Sequence, residues 1–182
     1  MLERYLVEHC SPTLASLKTA NLFSYSYSSE NILEQYVQNC HRQLSQKGVS
    51  IEVLRKKNHV ALIYVYRQHR LQQDLNHEDT VAFLKNYGYH SLSTRDAIEQ
   101  LKSRFEQSEF PHEIGLFLGY PLGDVVGFIR NAGKNSKCAG CWKVYCDECE
   151  AVKLFAKFKK CRDVYTRLFQ EGRTVLQLTV AV

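Results

Sequence analysis

Proline is scarce, three in 182 residues, and no stretch rich in proline, glycine or serine is present to serve as a linker. That absence points to one domain, residues 1–182, with one core. No apolar run approaches the roughly twenty residues that span a bilayer. The opening MLERYLVEHC carries charges where a secretory signal needs an apolar centre, which predicts a cytoplasmic protein without membrane contact. No segment repeats, and the G-x-x-x-x-G-K pattern of a P-loop is missing. Net charge is small as well. A formal +5 permits anionic partners without demanding them.

What is present suits a packed core. Apolar residues make up 45% and aromatics 12%, which excludes a disordered chain. The seven cysteines are an odd number. Without a secretory signal they read as reduced thiols, metal ligands or redox groups, not as a disulfide framework.

Periodicity predicts alternating helices and strands. Leu2 to Val7 reads as a short helix, and Cys10-Ser11-Pro12 as the start of a second one. Asn21 to Tyr27 alternates with period two, a strand with Phe23, Tyr25 and Tyr27 on one side. Leu33, Tyr36, Val37, Cys40 and Leu44 form a helical stripe ended by Gly48. Val49 to Leu54 and Val60 to Tyr66 make a hairpin around Lys56-Lys57-Asn58. Asn76 and Ser93 each cap a helix. Ile114 to Leu118 is apolar on both faces, as in an interior strand, and Val125 to Ile129 continues as a helix. Cys138 to Tyr145 reads as a strand, the acids at 147–150 open a long helix, and Leu176 to Val182 reads as an edge strand. The expected fold is α/β or α+β: one layered domain, a mixed β-sheet covered by helices.

Four groups of residues have the types and spacing for chemistry. Cys10, at the expected helix start, would have its thiolate stabilised by free N–H groups and the helix dipole, with Lys18 nearby. A Cys-His enzyme also needs a histidine, and His112 at the sheet's rim is the best placed. The plainer alternative makes Cys10 a small buried residue. Second, His112, Glu113, Tyr120 and Asp124 surround the turn Gly119-Tyr120-Pro121, where the following helix offers N–H groups to a small anionic ligand or cofactor. Asp124, in the first turn, would occupy that end or repel from it. The alternative is that these residues only cap and pair.

Third, Cys138-x2-Cys141-x4-Cys146-x2-Cys149 places two CxxC pairs in sequence, with Cys161 beyond. Two such pairs suggest a metal, and the last three resemble a ferredoxin spacing. The intervening WKVY is short, however. As an extended strand it would separate the pairs by roughly 16 Å, too far for one ion. Fourth, Lys153, Lys157 and Lys160 recur on one helix. Its aromatics fall on the buried stripe and are not free to stack on bases, so the pattern argues against nucleic acid and for a solvated face or a protein partner.

The run FPHEIGLFLGYPLGDVVGFI, followed by CWKVY and LFAKFKKC, resembles a family of small bacterial proteins catalogued only as a domain of unknown function. HCSPTLASLKTANLF and GRTVLQLTVA extend the resemblance over nearly the whole chain. It implies an intracellular protein of anaerobic bacteria and assigns no activity. The family phrase expects Gly-Asp after CWKVY, where this chain has Cys146-Asp147. The residues therefore name neither cofactor nor reaction. The expected function is binding of a small anionic ligand at residues 112–124, with thiol chemistry at Cys10. The alternatives are an accessory protein acting through a protein partner, and a cysteine-ligated metal or redox protein.

Overall fold

The strand expected from the alternation at Asn21–Tyr27 forms, and it joins the predicted hairpin in one sheet. The structure, a computed structural model, describes residues 2–107 and 110–181. In chain order the elements are α1 (Leu2–Leu14), β1 (Ala20–Ser26), α2 (Glu30–Ser45), β2 (Val49–Lys57), β3 (Val60–Arg67), α3 (Gln68–Leu75), α4 (Glu78–Asn86) and α5 (Thr94–Glu106). There follow α6 (Ile114–Phe117), α7 (Leu122–Arg130), β4 (Cys138–Ala139), β5 (Lys143–Val144), α8 (Glu148–Gln170) and α9 (Val175–Leu178). The expected mixture of helix and sheet is present, and its strands pair antiparallel. No described helix is long and apolar enough to cross a membrane. The chain divides into two compact units, Met1–Leu71 with Cys161–Val182, and Gln72–Lys160.

The first unit is built on the sheet β1-β3-β2. Its middle strand β3 is buried from Ala61 to Arg67. The hairpin turns at Asn58 and His59, both at positive φ, the left-handed pair that a two-residue turn requires if the strands are to keep their twist. Ala61, Ile63 and Val65 share a core with Phe23 and Tyr25, with Leu2, Leu6, Cys10 and Leu14 of α1, and with Val175 and Leu178 of α9.

Two sequence expectations fail in this unit. The helix does not restart at Cys10, because α1 runs unbroken through Pro12. Leu2, Leu6, Cys10 and Leu14 recur every four residues on one buried face, and that continuous contact outweighs the one backbone bond that proline removes near the helix end. Residues 176–181 of the expected edge strand are not a strand, and Val182 lies outside the described residues. Thr174 accepts from the Gln177 N–H, and the Gln177 side chain accepts from the Thr174 N–H. This reciprocal cap fixes a short helix, α9, where the alternation suggested a strand.

In the second unit α5 starts at Ser93 as its cap residue predicts, with the hydroxyl accepting from the Asp96 N–H. The expected interior strand at Ile114–Leu118 is instead the helical turn α6. Five apolar residues in a row satisfy either conformation, and here the bonds Leu118 N–H to Ile114 and Tyr120 N–H to Gly115 close helical rings. The expected strand at Cys138–Tyr145 reduces to a small hairpin, because the chain reverses at Gly140–Trp142. Tyr145 and Cys146 then cross α7 at Gly127 and Gly123, where a Cβ would collide with their side chains. Asp147 Oδ1 accepts from the Glu150 N–H (3.0 Å) and starts α8.

Candidate functional site

The expected rim, residues 112–124, divides between internal bonds and an open cavity. Glu113 is buried, ion-paired to Arg104, and accepts from the Tyr89 hydroxyl (3.2 Å). Asp124 is buried too. Its Oδ1 accepts from the N–H groups of Tyr145 (2.8 Å) and Cys146 (2.9 Å), and its Oδ2 from the Trp142 indole (2.7 Å). Both carboxylates are thus committed to the fold. His112 is exposed, its ring 5.2 Å from that of Phe128. Tyr120 stacks on Trp142 (centroids 4.8 Å apart) and donates to the Cys141 carbonyl. Burial pushes its hydroxyl up to about 12.

Tyr120 also borders a cavity of about 360 Å³. One side is Leu116 and the turn 119–122. The other is the start of α4, with His77, Asp79 and Thr80, and Asp74 near the end of α3. Two helices therefore begin at this cavity. Their cap residues, His77 for α4 and Pro121 for α7, make no side-chain capping bond. At α7 the Asp124 N–H returns to the Pro121 carbonyl (3.0 Å), and the earlier N–H groups, Leu122 and Gly123 of α7 and Glu78 to Thr80 of α4, have neither a partner within their own helix nor a side-chain acceptor among the described residues. Asp124 does not fill that role for α7, since its oxygens are held by the hairpin.

Thr80 adds a second donor. It is only 8% exposed, and its hydroxyl has no hydrogen-bond partner among the described residues. No fully enclosed side-chain nitrogen or oxygen lacks a partner among those residues, so this hydroxyl opens onto the cavity it lines. Sequence reasoning found Tyr120 and the turn but missed Asp74, His77, Asp79 and Thr80. It placed the α4 cap at Asn76, one residue early, and nothing local marks α4 as a neighbour of residues 116–122.

Cys10 and Lys18 belong to the first unit and His112 to the second. Cys10 lies late in α1, not at a helix start, so the N–H groups and positive dipole end expected to stabilise its thiolate are absent. It is fully buried, and burial pushes its thiol far up, with Lys18 and Arg162 offsetting only part of this. The Lys18 ammonium is also buried and donates to the Ala20 carbonyl (2.7 Å). Alkylation of native protein, read cysteine by cysteine by mass spectrometry, is expected to label exposed Cys141 and Cys149 first. Cys40 and Cys161, both pushed up to about 11 by burial, should follow slowly, and Cys10 should react only on unfolding. Early labelling of Cys10 at neutral pH would restore the thiol chemistry.

The reversal at Gly140–Trp142 removes the premise that WKVY holds the CxxC pairs apart. Cys138 faces Val144 across the hairpin. Even so, no three histidine, cysteine or acidic side chains among the described residues group as metal ligands. Glu148 acts electrostatically on the Cys138 thiol, and Asp124 on that of Cys146. Burial first, and these carboxylates after it, push both thiols up.

No curated protein and no solved structure matches the chain. One family model matches from residue 6 to residue 179, and its description is "Protein of unknown function (DUF3793)". Across nearly its whole length, then, the chain belongs to that family of unknown function.

Proposed function

We propose that the second unit binds a small anionic ligand in the cavity between the starts of α4 and α7. The observation that carries this reading is the buried, unpartnered Thr80 hydroxyl, opening onto a cavity that two uncapped helix starts border. Helix starts supply N–H donors and a positive end, which together hold carboxylates and phosphates. The volume, about 360 Å³, is at the lower end for ligand sites and suits a compact molecule. The site keeps Tyr120 from the sequence expectation and exchanges His112, Glu113 and Asp124 for His77 and Thr80. No cysteine or serine lies in the lining to act as a nucleophile, so the reading is one of binding and leaves the reaction unassigned.

Thr80→Val tests it. Valine keeps the shape and removes a buried hydroxyl that has no partner, so folding stability is expected to stay level or rise slightly. Affinity is expected to fall by about 1 kcal/mol or more, roughly fivefold to tenfold, for the loss of one hydrogen bond to a charged group. Calorimetric titration of wild type and variant with inorganic phosphate and acetate reads both effects. Equal affinity in the two proteins, or no binding of any anion to wild type, overturns the proposal.

A further inference from the structure

The side of the cavity formed by Leu116 and the 119–122 turn is largely hydrocarbon. Leu116 is 4% exposed and Leu122 half-buried. Pro121 adds an apolar ring and no N–H. The Tyr120 hydroxyl proton is committed to the Cys141 carbonyl (3.2 Å), so this side chain too offers the cavity mostly its ring. A small hydrated ion leaves such a wall wet, whereas a ligand with an apolar body covers it and is held by that burial. The head group is limited as well. No lysine or arginine lines the cavity, and two helix starts at about half a unit of positive charge each sum to roughly one. His77 is exposed, where water and salt screen whatever charge it carries. The balance does not depend on Asp74, which is engaged within the fold. One negative charge on the ligand is matched, and a second is not.

We propose that the cavity between the 119–122 turn and the start of α4 recognises a compact monocarboxylate with a hydrocarbon body. This rests on the anion reading above and deepens it. The carboxylate lies at the Thr80 hydroxyl and the unpartnered N–H groups of α4 and α7, with which it forms charge-assisted hydrogen bonds. The hydrocarbon lies along Leu116, Leu122 and the Tyr120 ring and displaces water from them. A phosphate monoester of the same length is a poorer ligand, because its second charge exceeds what the helix starts supply.

The test uses the full-length protein and calorimetric titration with acetate, butanoate and hexanoate. Hexyl phosphate, doubly charged at about pH 8, and 1-hexanol, which keeps the chain and drops the charge, are compared at that pH. Affinity is expected to rise along the acids by up to about fourfold per methylene covered. Hexanoate is expected to exceed both hexyl phosphate and 1-hexanol by about tenfold or more. Thr80→Val should weaken every acid by a similar factor, since it alters only the contact with the head group. Leu122→Ser keeps the backbone N–H and should flatten the series, costing hexanoate more than acetate. If the acids bind with equal affinity, or hexyl or inorganic phosphate binds as tightly as hexanoate, the apolar monocarboxylate is excluded and the anion reading stands. A rising series that Leu122→Ser leaves unchanged excludes it too, because the chain then lies elsewhere. If 1-hexanol matches hexanoate, or nothing binds, both fall.

Discussion

Replacing Arg67 by methionine is expected to destabilise the first unit by about 2–4 kcal/mol. Arg67 ends β3, is 1% exposed, and has no carboxylate partner among the described residues. Instead its guanidinium collects backbone carbonyls. Nε donates to Thr13 (2.7 Å), Nη1 to Lys47 (3.2 Å), and Nη2 to Leu14 (2.6 Å) and Val180 (2.9 Å). It thereby ties the end of α1, the loop before β2 and the chain after α9 to the central strand. Burial first, and Arg70 second, lower its pKa, but an arginine stays charged under such strain.

Methionine fills similar space and donates nothing. Thr13 keeps a bond from the Ser16 N–H and Leu14 one from Val180, so the loss falls on the Lys47 and Val180 carbonyls. Each orphaned carbonyl costs about 1–3 kcal/mol, and water near Val180, an exposed residue, recovers some of it. Arg67→Lys is expected to rescue little, because one ammonium cannot span four carbonyls as a planar fork does. Urea denaturation followed by far-UV circular dichroism measures the effect, and limited proteolysis should find the chain after α9 newly cleavable. A midpoint unchanged within about 0.5 kcal/mol would mean that releasing a desolvated charge compensates for the lost bonds.

Arg67 also illustrates what was readable in the sequence. Its place on β3 was nearly so, since the apolar run beginning at Val60 gave the strand almost to its end. Its role was not, because its partners lie up to 113 residues away. Elements with a local signature were legible: the alternation of β1, the Ser93 cap of α5, the stripe of α2. The failures occur where one local pattern fits two structures. Cys10-Ser11-Pro12 satisfies a helix start, and only the recurrence of Leu2, Leu6, Cys10 and Leu14 reveals a helix running through it. Ile114–Leu118 has no polar residue to betray its period. In GRTVLQL the Thr174…Gln177 cap signature was present and was outweighed by alternation.

The same contrast holds for the site. Gly119-Tyr120-Pro121 was visible as a turn opening a helix, and Tyr120 does border the cavity. His77 and Thr80 become site residues only because α4 packs beside that turn, which no spacing encodes. Asp124 was misread for the same reason. As a first-turn acid it should serve its own helix end, yet its oxygens accept from Trp142, 18 residues on, and from Tyr145 and Cys146.

Asp124→Asn is accordingly expected to loosen the hairpin and cost the second unit about 2–4 kcal/mol. The carboxylate, 3% exposed, accepts three N–H bonds. Asparagine has one acceptor oxygen, so its amide must point hydrogens either at the Trp142 indole or at the N–H groups of Tyr145 and Cys146. A buried donor then faces a donor, and the surviving bonds lose their charge assistance. The chain has a single tryptophan, and Trp142 is held between Tyr120 and Phe155, so its fluorescence reports on this locus alone. Emission should shift to the red in the native variant, and ligand affinity should fall although Asp124 does not line the cavity, because Tyr120 loses its stacking support. Unchanged emission with an unchanged midpoint would show the carboxylate to be dispensable. Read with both probes, Arg67→Met and Asp124→Asn also test whether residues 1–182 fold as one cooperative domain. One domain requires each variant to move the dichroism and Trp142 transitions together, whereas independent units require Arg67→Met to leave the Trp142 transition in place.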